Sequence, residues 1–153
     1  MRPVTNSKKE RDVALLDLGN VVLGIDPRQV FVEWSRRSGL AEADFARKWV
    51  LDDAYKEHER GKLSFEDYCR TLNKRYGLSM SSQDWGIGWN KLWTRPFAKV
   101  LELFPGIKKN YRLCAFSNTN ATHAKDFTSK YPEVISQFDE LFLSHELGER
   151  KPD

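Results

Sequence analysis

Val13-Ala-Leu-Leu-Asp-Leu-Gly-Asn20 is the stretch on which the fold turns. Four apolar residues, Val13 to Leu16, run without interruption into Asp17; Gly19 and Asn20 follow, ahead of Val21-Val-Leu23. A short apolar run bounded by turn formers reads as a strand buried on both faces, as in a parallel sheet. An acid where such a strand ends stands at the C-terminal edge of the sheet, where open α/β folds place their ligands. Asp17 is therefore the first candidate for chemistry.

Outward from this strand the pattern changes to helices. Asp26 is an N-cap and Pro27 a first-turn residue for a helix through Val30, Phe31 and Trp34, stopped by Gly39. Further helices fit about 41–51, 53–60 and, from the cap-then-acid start Ser64-Phe-Glu-Asp67, a stretch whose apolar face is Phe65, Tyr68, Cys69, Leu72 and Tyr76. Ser81-Ser-Gln-Asp-Trp85 opens another, with Trp85, Trp89 and Trp93 recurring every four residues. That stripe reads as helix packing, with a ligand surface as the alternative. Residues 25–95 thus carry almost no strand signal. A helix at about 96–104 then leads through Pro105-Gly106 to a second apolar strand, Tyr111–Phe116, ended by Ser117-Asn-Thr-Asn120. A helix over 121–130, a helical turn near 132–137 and a strand at Glu140–Leu143 complete the order. One strand, a block of helices, then alternating strands and helices gives an α/β core with a helical insertion.

Composition limits the partners. Of 153 residues, 25 are basic and 22 acidic, a formal charge of +3 that is spread along the chain and argues against a nucleic-acid surface. The segment Lys8-Lys-Glu-Arg11 reads as a weakly ordered, solvated leader. Cys69 and Cys114 lie far apart without metal-ligand spacing, and Cys114 reads as a small buried hydrophobe. No apolar run reaches membrane-spanning length, so a cytoplasmic setting without membrane or nucleic acid is expected.

Three polar clusters follow predicted strands: Asp17 to Asn20, Ser117 to Asn120, and the region of Lys151. In a parallel sheet they would converge on one edge. There Asp17 offers a carboxylate able to attack phosphorus and form an acyl phosphate. Ser117, Asn118 and the start of the following helix offer hydrogen-bond donors suited to a phosphate group, and Lys151 offers a compensating charge.

With these residues in view the sequence resembles the haloacid dehalogenase superfamily of aspartate-dependent phosphohydrolases. Asp17-Leu-Gly-Asn-Val-Val22 looks like its first motif, Phe116-Ser-Asn-Thr-Asn120 like its second and Gly148-Glu-Arg-Lys-Pro152 like its third. His58-Glu-Arg-Gly61 and Tyr131-Pro-Glu133 are similar to the branch that contains bacterial α-D-glucose-1-phosphate phosphatase. The resemblance implies an incomplete Rossmann-like parallel-sheet core at 12–24 and 96–153, with a helical cap at 25–95 that closes over the site. It implies Asp17 as nucleophile and Mg²⁺ ligand, the carbonyl of Gly19 as second Mg²⁺ ligand, Ser117 and Asn118 on the phosphate, and Lys151 stabilising the charge. The expected substrate is a small phosphorylated metabolite, a sugar phosphate such as glucose 1-phosphate.

Two departures qualify this expectation. Many relatives carry an aspartate two residues after the nucleophile as general acid and base; Gly19 stands there. Proton transfer contributes a factor of about 10² to 10⁴, so sugar 1-phosphates and acyl phosphates, whose leaving groups need little protonation, are favoured, with Asp26 or water as a substitute donor. The family's fourth motif, an acidic pair completing the Mg²⁺ site, has no counterpart before Asp153. The 153 residues as a fragment are thus expected to hold metal poorly and show little or no activity, with Val13 to Leu16 left at an unpaired sheet edge. The rival class is a non-catalytic protein that keeps the fold and binds a phospho-ligand or a protein. Carbon–halogen hydrolysis by the same nucleophile is the third reading. His58 is expected to pack within the helices, and His123 stands close enough to the phosphate loop to touch a substrate.

Overall fold

The computed structural model describes residues 12–152; the basic leader Lys8 to Arg11 lies outside the described residues. Five strands are formed, β1 (Val13–Leu16), β2 (Leu23–Ile25), β3 (Trp93–Pro96), β4 (Arg112–Ser117) and β5 (Glu140–Leu143). β1, β4 and β5 make a parallel sheet in that order, with Leu16 opposite Ala115 and Ser117 opposite Leu143. Asp17 and the segment after Ser117 consequently leave the sheet at the same edge, as parallel pairing requires.

Between β2 and β3 lie five helices, α1 (Pro27–Ser38), α2 (Glu42–Lys48), α3 (Asp53–Glu59), α4 (Phe65–Tyr76) and α5 (Ser82–Trp89). Their ends follow local capping chemistry. The Asp26 carboxylate accepts from Arg28 N, and Gly39 closes α1 in the left-handed region at φ +77°. Ser64 and Ser81 cap α4 and α5 through Asp67 N and Asp84 N. After β3 come α6 (Ala98–Leu101), α7 (Phe104–Asn110), α8 (Ala121–Lys130), α9 (Pro132–Ile135) and α10 (Ser144–Leu147).

Two apolar clusters result. One joins Leu18, Val22, Leu23, Phe104, Leu113, Ala115, Phe127 and Val134 around the sheet. The other, within the helical block, is aromatic: Trp34, Phe45, Tyr68, Tyr76, Trp85 and Trp89 are all buried. Trp34 meets Trp85 edge-on, with centroids 4.8 Å apart at 82°, a geometry that adds about 0.5–1.5 kcal/mol beyond the area buried. Among the described residues no helix is long and apolar enough to cross a membrane.

Several local expectations are corrected. β1 is not buried on both faces: Val13 and Leu15 are 50% and 53% exposed, because β1 pairs only with β4 among the described residues and one of its faces is uncovered. Trp93 does not extend the helical stripe. α5 stops at Trp89, a 3₁₀ turn follows at Asn90–Leu92, and Trp93 starts β3, paired with Ile25. The antiparallel β2–β3 ribbon, absent from the sequence reading, carries the chain out to the helical block and back. The expected helix at 96–104 is instead α6 and α7, and Pro105 sits in the first turn of α7, where its missing N–H costs nothing.

Candidate active site

Asp17 is held forward by its own loop. Its Oδ1 accepts from Leu18 N at 2.7 Å. The Leu18 carbonyl gathers the amides of Val21, Val22 and Leu23 at 3.2, 2.9 and 2.9 Å. Closing so tight a loop puts Asn20 at φ +58°, a region asparagine tolerates better than most residues, and its Oδ1 accepts from Ile25 N at 3.1 Å. The result is a half-exposed carboxylate whose second oxygen faces Lys151 Nζ at 3.4 Å.

Lys151 is fixed from three directions. Nζ donates to the Phe116 carbonyl at 2.6 Å and lies 4.9 Å from the centre of the Phe116 ring. The Lys151 amide donates to Asn118 Oδ1 at 2.8 Å, and Asn118 Nδ2 donates back to the Lys151 carbonyl at 2.6 Å. Asp17, Gly19, Ser117 and Asn118 line one cavity of about 210 Å³, together with Thr119, Trp93, Tyr55, Glu59 and His123. The structure thus brings together Asp17, Gly19, Ser117, Asn118 and Lys151, the residues to which the resemblance gave roles.

The helix beside them is less open than expected. Asn120 caps α8 and its Oδ1 already takes His123 N at 2.9 Å, so that amide has a partner. Asp26, considered as a substitute proton donor, is spent on the cap of α1, where it also accepts from Gln29 Nε2, and does not line the cavity. His58 is buried and stacked on Tyr68 at 4.9 Å, a packing role. His123 does face the cavity, stacked on Trp89 at 4.8 Å with Nδ1 3.2 Å from Asn90 Oδ1.

Burial, with His58 and Lys130 nearby, lowers the His123 imidazole to about 3, so it is neutral near pH 7 and cannot supply a proton. Burial lowers His58 as well. Below the ordinary histidine value of about 6.5 the unfolded chain takes protons that the folded chain refuses. Stability is therefore full above pH 6.5 and falls as the pH drops toward 3, by at most about 1.4 kcal/mol per unit for each such histidine. Thermal unfolding at pH 5 and pH 7.5 should show this loss, with a smaller pH slope in His123→Gln; an equal slope in the variant would remove His123 as its source.

Sequence reasoning gave no site role to Tyr55, Glu59 or Ser144. The Thr119 amide donates to Ser144 Oγ, which in turn donates to the Thr119 carbonyl, both at 2.8 Å. This pair ties the loop after β4 to the start of α10, and its only signal was a serine placed directly after an apolar strand. Glu59, 4% exposed, accepts from Arg150 Nε at 2.6 Å. Burial, then the Glu59 carboxylate to which it is hydrogen-bonded, pushes the Tyr55 hydroxyl well above its ordinary value.

A second, mainly apolar cavity of about 220 Å³ continues from the first, sharing Ile25, Tyr55, Leu92 and His123 and adding Phe31, Trp49 and Trp89.

No family model matches the chain. It is 28% identical over 144 residues to D-ribitol-5-phosphate phosphatase of Bacteroides thetaiotaomicron, covering 90% of this chain and 69% of that one. A HAD family enzyme from the same organism, crystallised with magnesium and inorganic phosphate, superposes with a TM-score of 0.77 at 21% identity, covering 94% of this chain and 73% of that one. The chain is thus similar in sequence to a sugar-phosphate phosphatase and shares the fold of haloacid dehalogenase family enzymes. A HAD-like hydrolase of Porphyromonas gingivalis has the same fold, with a TM-score of 0.74 at 21% identity over 94% of this chain and 71% of that one. The α/β class with a parallel sheet, expected from strand order, is the fold of these superfamily members.

Proposed function

We propose that this chain is a Mg²⁺-dependent phosphatase of small phosphorylated metabolites, working through an aspartyl phosphate on Asp17. The observation that carries the reading is the half-exposed Asp17 carboxylate with Lys151 Nζ 3.4 Å from its Oδ2, in one cavity with Ser117 and Asn118. In the first step the carboxylate attacks phosphorus and the ester oxygen leaves with its electron pair. In the second, water attacks phosphorus and returns the carboxylate. Ser117 and Asn118 bind the phosphoryl oxygens, and Lys151 offsets their charge. The Asp17 carboxylate and the Gly19 carbonyl are hard oxygen donors of the kind Mg²⁺ takes, and they would hold the ion. When bound it supplies Lewis-acid stabilisation of the phosphoryl charge.

Residues 25–95 act as the cap in this reading, and the apolar second cavity receives the leaving group. The rings of Trp49 and Tyr55 in its wall offer apolar surface for the C–H side of a sugar or polyol. A sugar phosphate is the class supported by the relative named for ribitol 5-phosphate. Within that class Gly19, with no acid in its place and a neutral His123, favours an easily released group such as the anomeric oxygen of glucose 1-phosphate. Buried, unpaired Cys69 and Cys114 fit a cytoplasmic setting. The rival reading, a protein that binds a phospho-ligand or a protein partner without catalysis, is favoured by Gly19 in place of an acid and by the absence of the acidic fourth motif from residues 1–153.

The test is phosphate release from glucose 1-phosphate, ribitol 5-phosphate and other sugar phosphates, with Mg²⁺ and with excess EDTA. Turnover that needs Mg²⁺ would support the phosphatase and overturn the expectation that residues 1–153 hold metal too poorly to act; binding of phosphate without turnover across the panel would leave the rival. Running the assay on residues 1–153 also decides whether the two metal donors in this chain suffice.

A further inference from the structure

The buried Glu59–Arg150 pair is assigned no role by the mechanism, although Glu59 lines the same cavity as Asp17. The two residues lie 91 positions apart, one at the end of α3 in the helical block and the other directly before Lys151, and their side chains are only 5% and 14% exposed. Burying an ion pair costs desolvation that its attraction only roughly offsets, so such a pair is a poor source of stability; its best-attested use is to set register. Here it has a register to set. Arg150 reaches up to the helical block while Lys151 reaches down to Phe116 and Asp17, and Asn118 clasps the Lys151 main chain from the sheet side. The same two segments touch again at Gly61, at φ +71°, where an added Cβ would lie 2.2 Å from the His145 carbonyl oxygen. Tyr55, one turn before Glu59, lines the same cavity, and its hydroxyl is raised by burial and then by the Glu59 carboxylate.

We infer that Glu59 is a positioning residue which, through Arg150, fixes the loop carrying Lys151 and so ties the helical block to the charge beside Asp17. The inference rests on the roles proposed above for Asp17 and Lys151. Glu59 does not touch the phosphoryl group in this scheme; its carboxylate is engaged by Arg150.

The experiment combines kinetics on p-nitrophenyl phosphate with Mg²⁺ and amide hydrogen exchange. Glu59→Gln should lower kcat by about 10- to 100-fold, the scale on which a small misplacement acts, while KM stays within about three-fold. Exchange should quicken over 148–152 and stay unchanged over β4. Quickened exchange with kcat intact would make the pair purely structural and overturn the inference, as would unchanged exchange. Should Glu59→Gln also lose protection in β4, the double variant Glu59→Gln with Arg150→Met, which leaves no lone buried charge, carries the same two readouts. A wild-type protein that releases nothing from the probe or from the sugar phosphates would sink the phosphatase reading, and the exchange arm would still judge the tie by itself.

Discussion

Asp17→Asn is expected to abolish phosphate release, by about 10⁴-fold or more, the scale on which removal of a nucleophile acts, and to leave the fold in place. The argument for the intact fold is local. The one structural task of the Asp17 side chain is to accept from Leu18 N at 2.7 Å, and an asparagine carbonyl oxygen accepts equally. The Lys151 contact at 3.4 Å joins side chains that are 35% and 50% exposed, and an ion pair so wet is worth at most about 1 kcal/mol. Thermal unfolding should therefore shift by only a few degrees while turnover disappears. That combination separates a chemical role from a structural one. A variant that keeps more than a few per cent of wild-type turnover would remove Asp17 as nucleophile and force the search toward another oxygen in the cavity.

The convergence of Asp17, Ser117, Asn118 and Lys151 was legible because it depends on few facts: an acid after one apolar strand, polar residues after another, and parallel pairing that sends both to one edge. Helix ends were legible for a similar reason, since Asp26 with Arg28, Ser64 with Asp67 and the glycine stop at Gly39 are contacts within a few residues. What escaped was decided by residues far apart. Trp93 has the spacing of a fourth-residue stripe and yet forms a strand, because its partner is Ile25, 68 positions earlier, and no local period encodes that pairing. The exposure of Val13 and Leu15 reflects what covers β1, and an apolar run reads the same whether or not a face is covered. Glu59 and Tyr55 enter the cavity from the helical block, and Ser144 reaches Thr119 across the sheet edge; composition distinguishes none of them from a solvated or capping residue.

The aromatic packing of the helical block yields the largest stability effect. Gly88 in α5 lies against the indole of Trp34 in α1, and a Cβ built on it would stand 2.2 Å from Trp34 Cδ1 and 2.5 Å from Nε1. Alanine inside a helix is ordinarily favoured over glycine by about 1 kcal/mol, so the sign of Gly88→Ala depends on whether the indole can move. It cannot move cheaply. Trp34 is fully buried, its Nε1 donates to the Trp85 carbonyl at 3.0 Å, and Phe45, Trp85 and Trp89 surround it with centroids at 5.6, 4.8 and 5.7 Å. Overpacking of such a core costs about 1–3 kcal/mol, and straining the buried hydrogen bond costs about 1 kcal/mol more, so after the helical gain Gly88→Ala should lose about 1–3 kcal/mol net. For a chain of this size that lowers Tm by several degrees. Gly106→Ala is the matched control: it is also helical, meets nothing within 4 Å, and should gain about 0.5 kcal/mol. If both variants unfolded at or above the wild-type temperature, the indole would have room to yield, and the tight α1–α5 contact could not be what holds Trp89 at the wall of the second cavity.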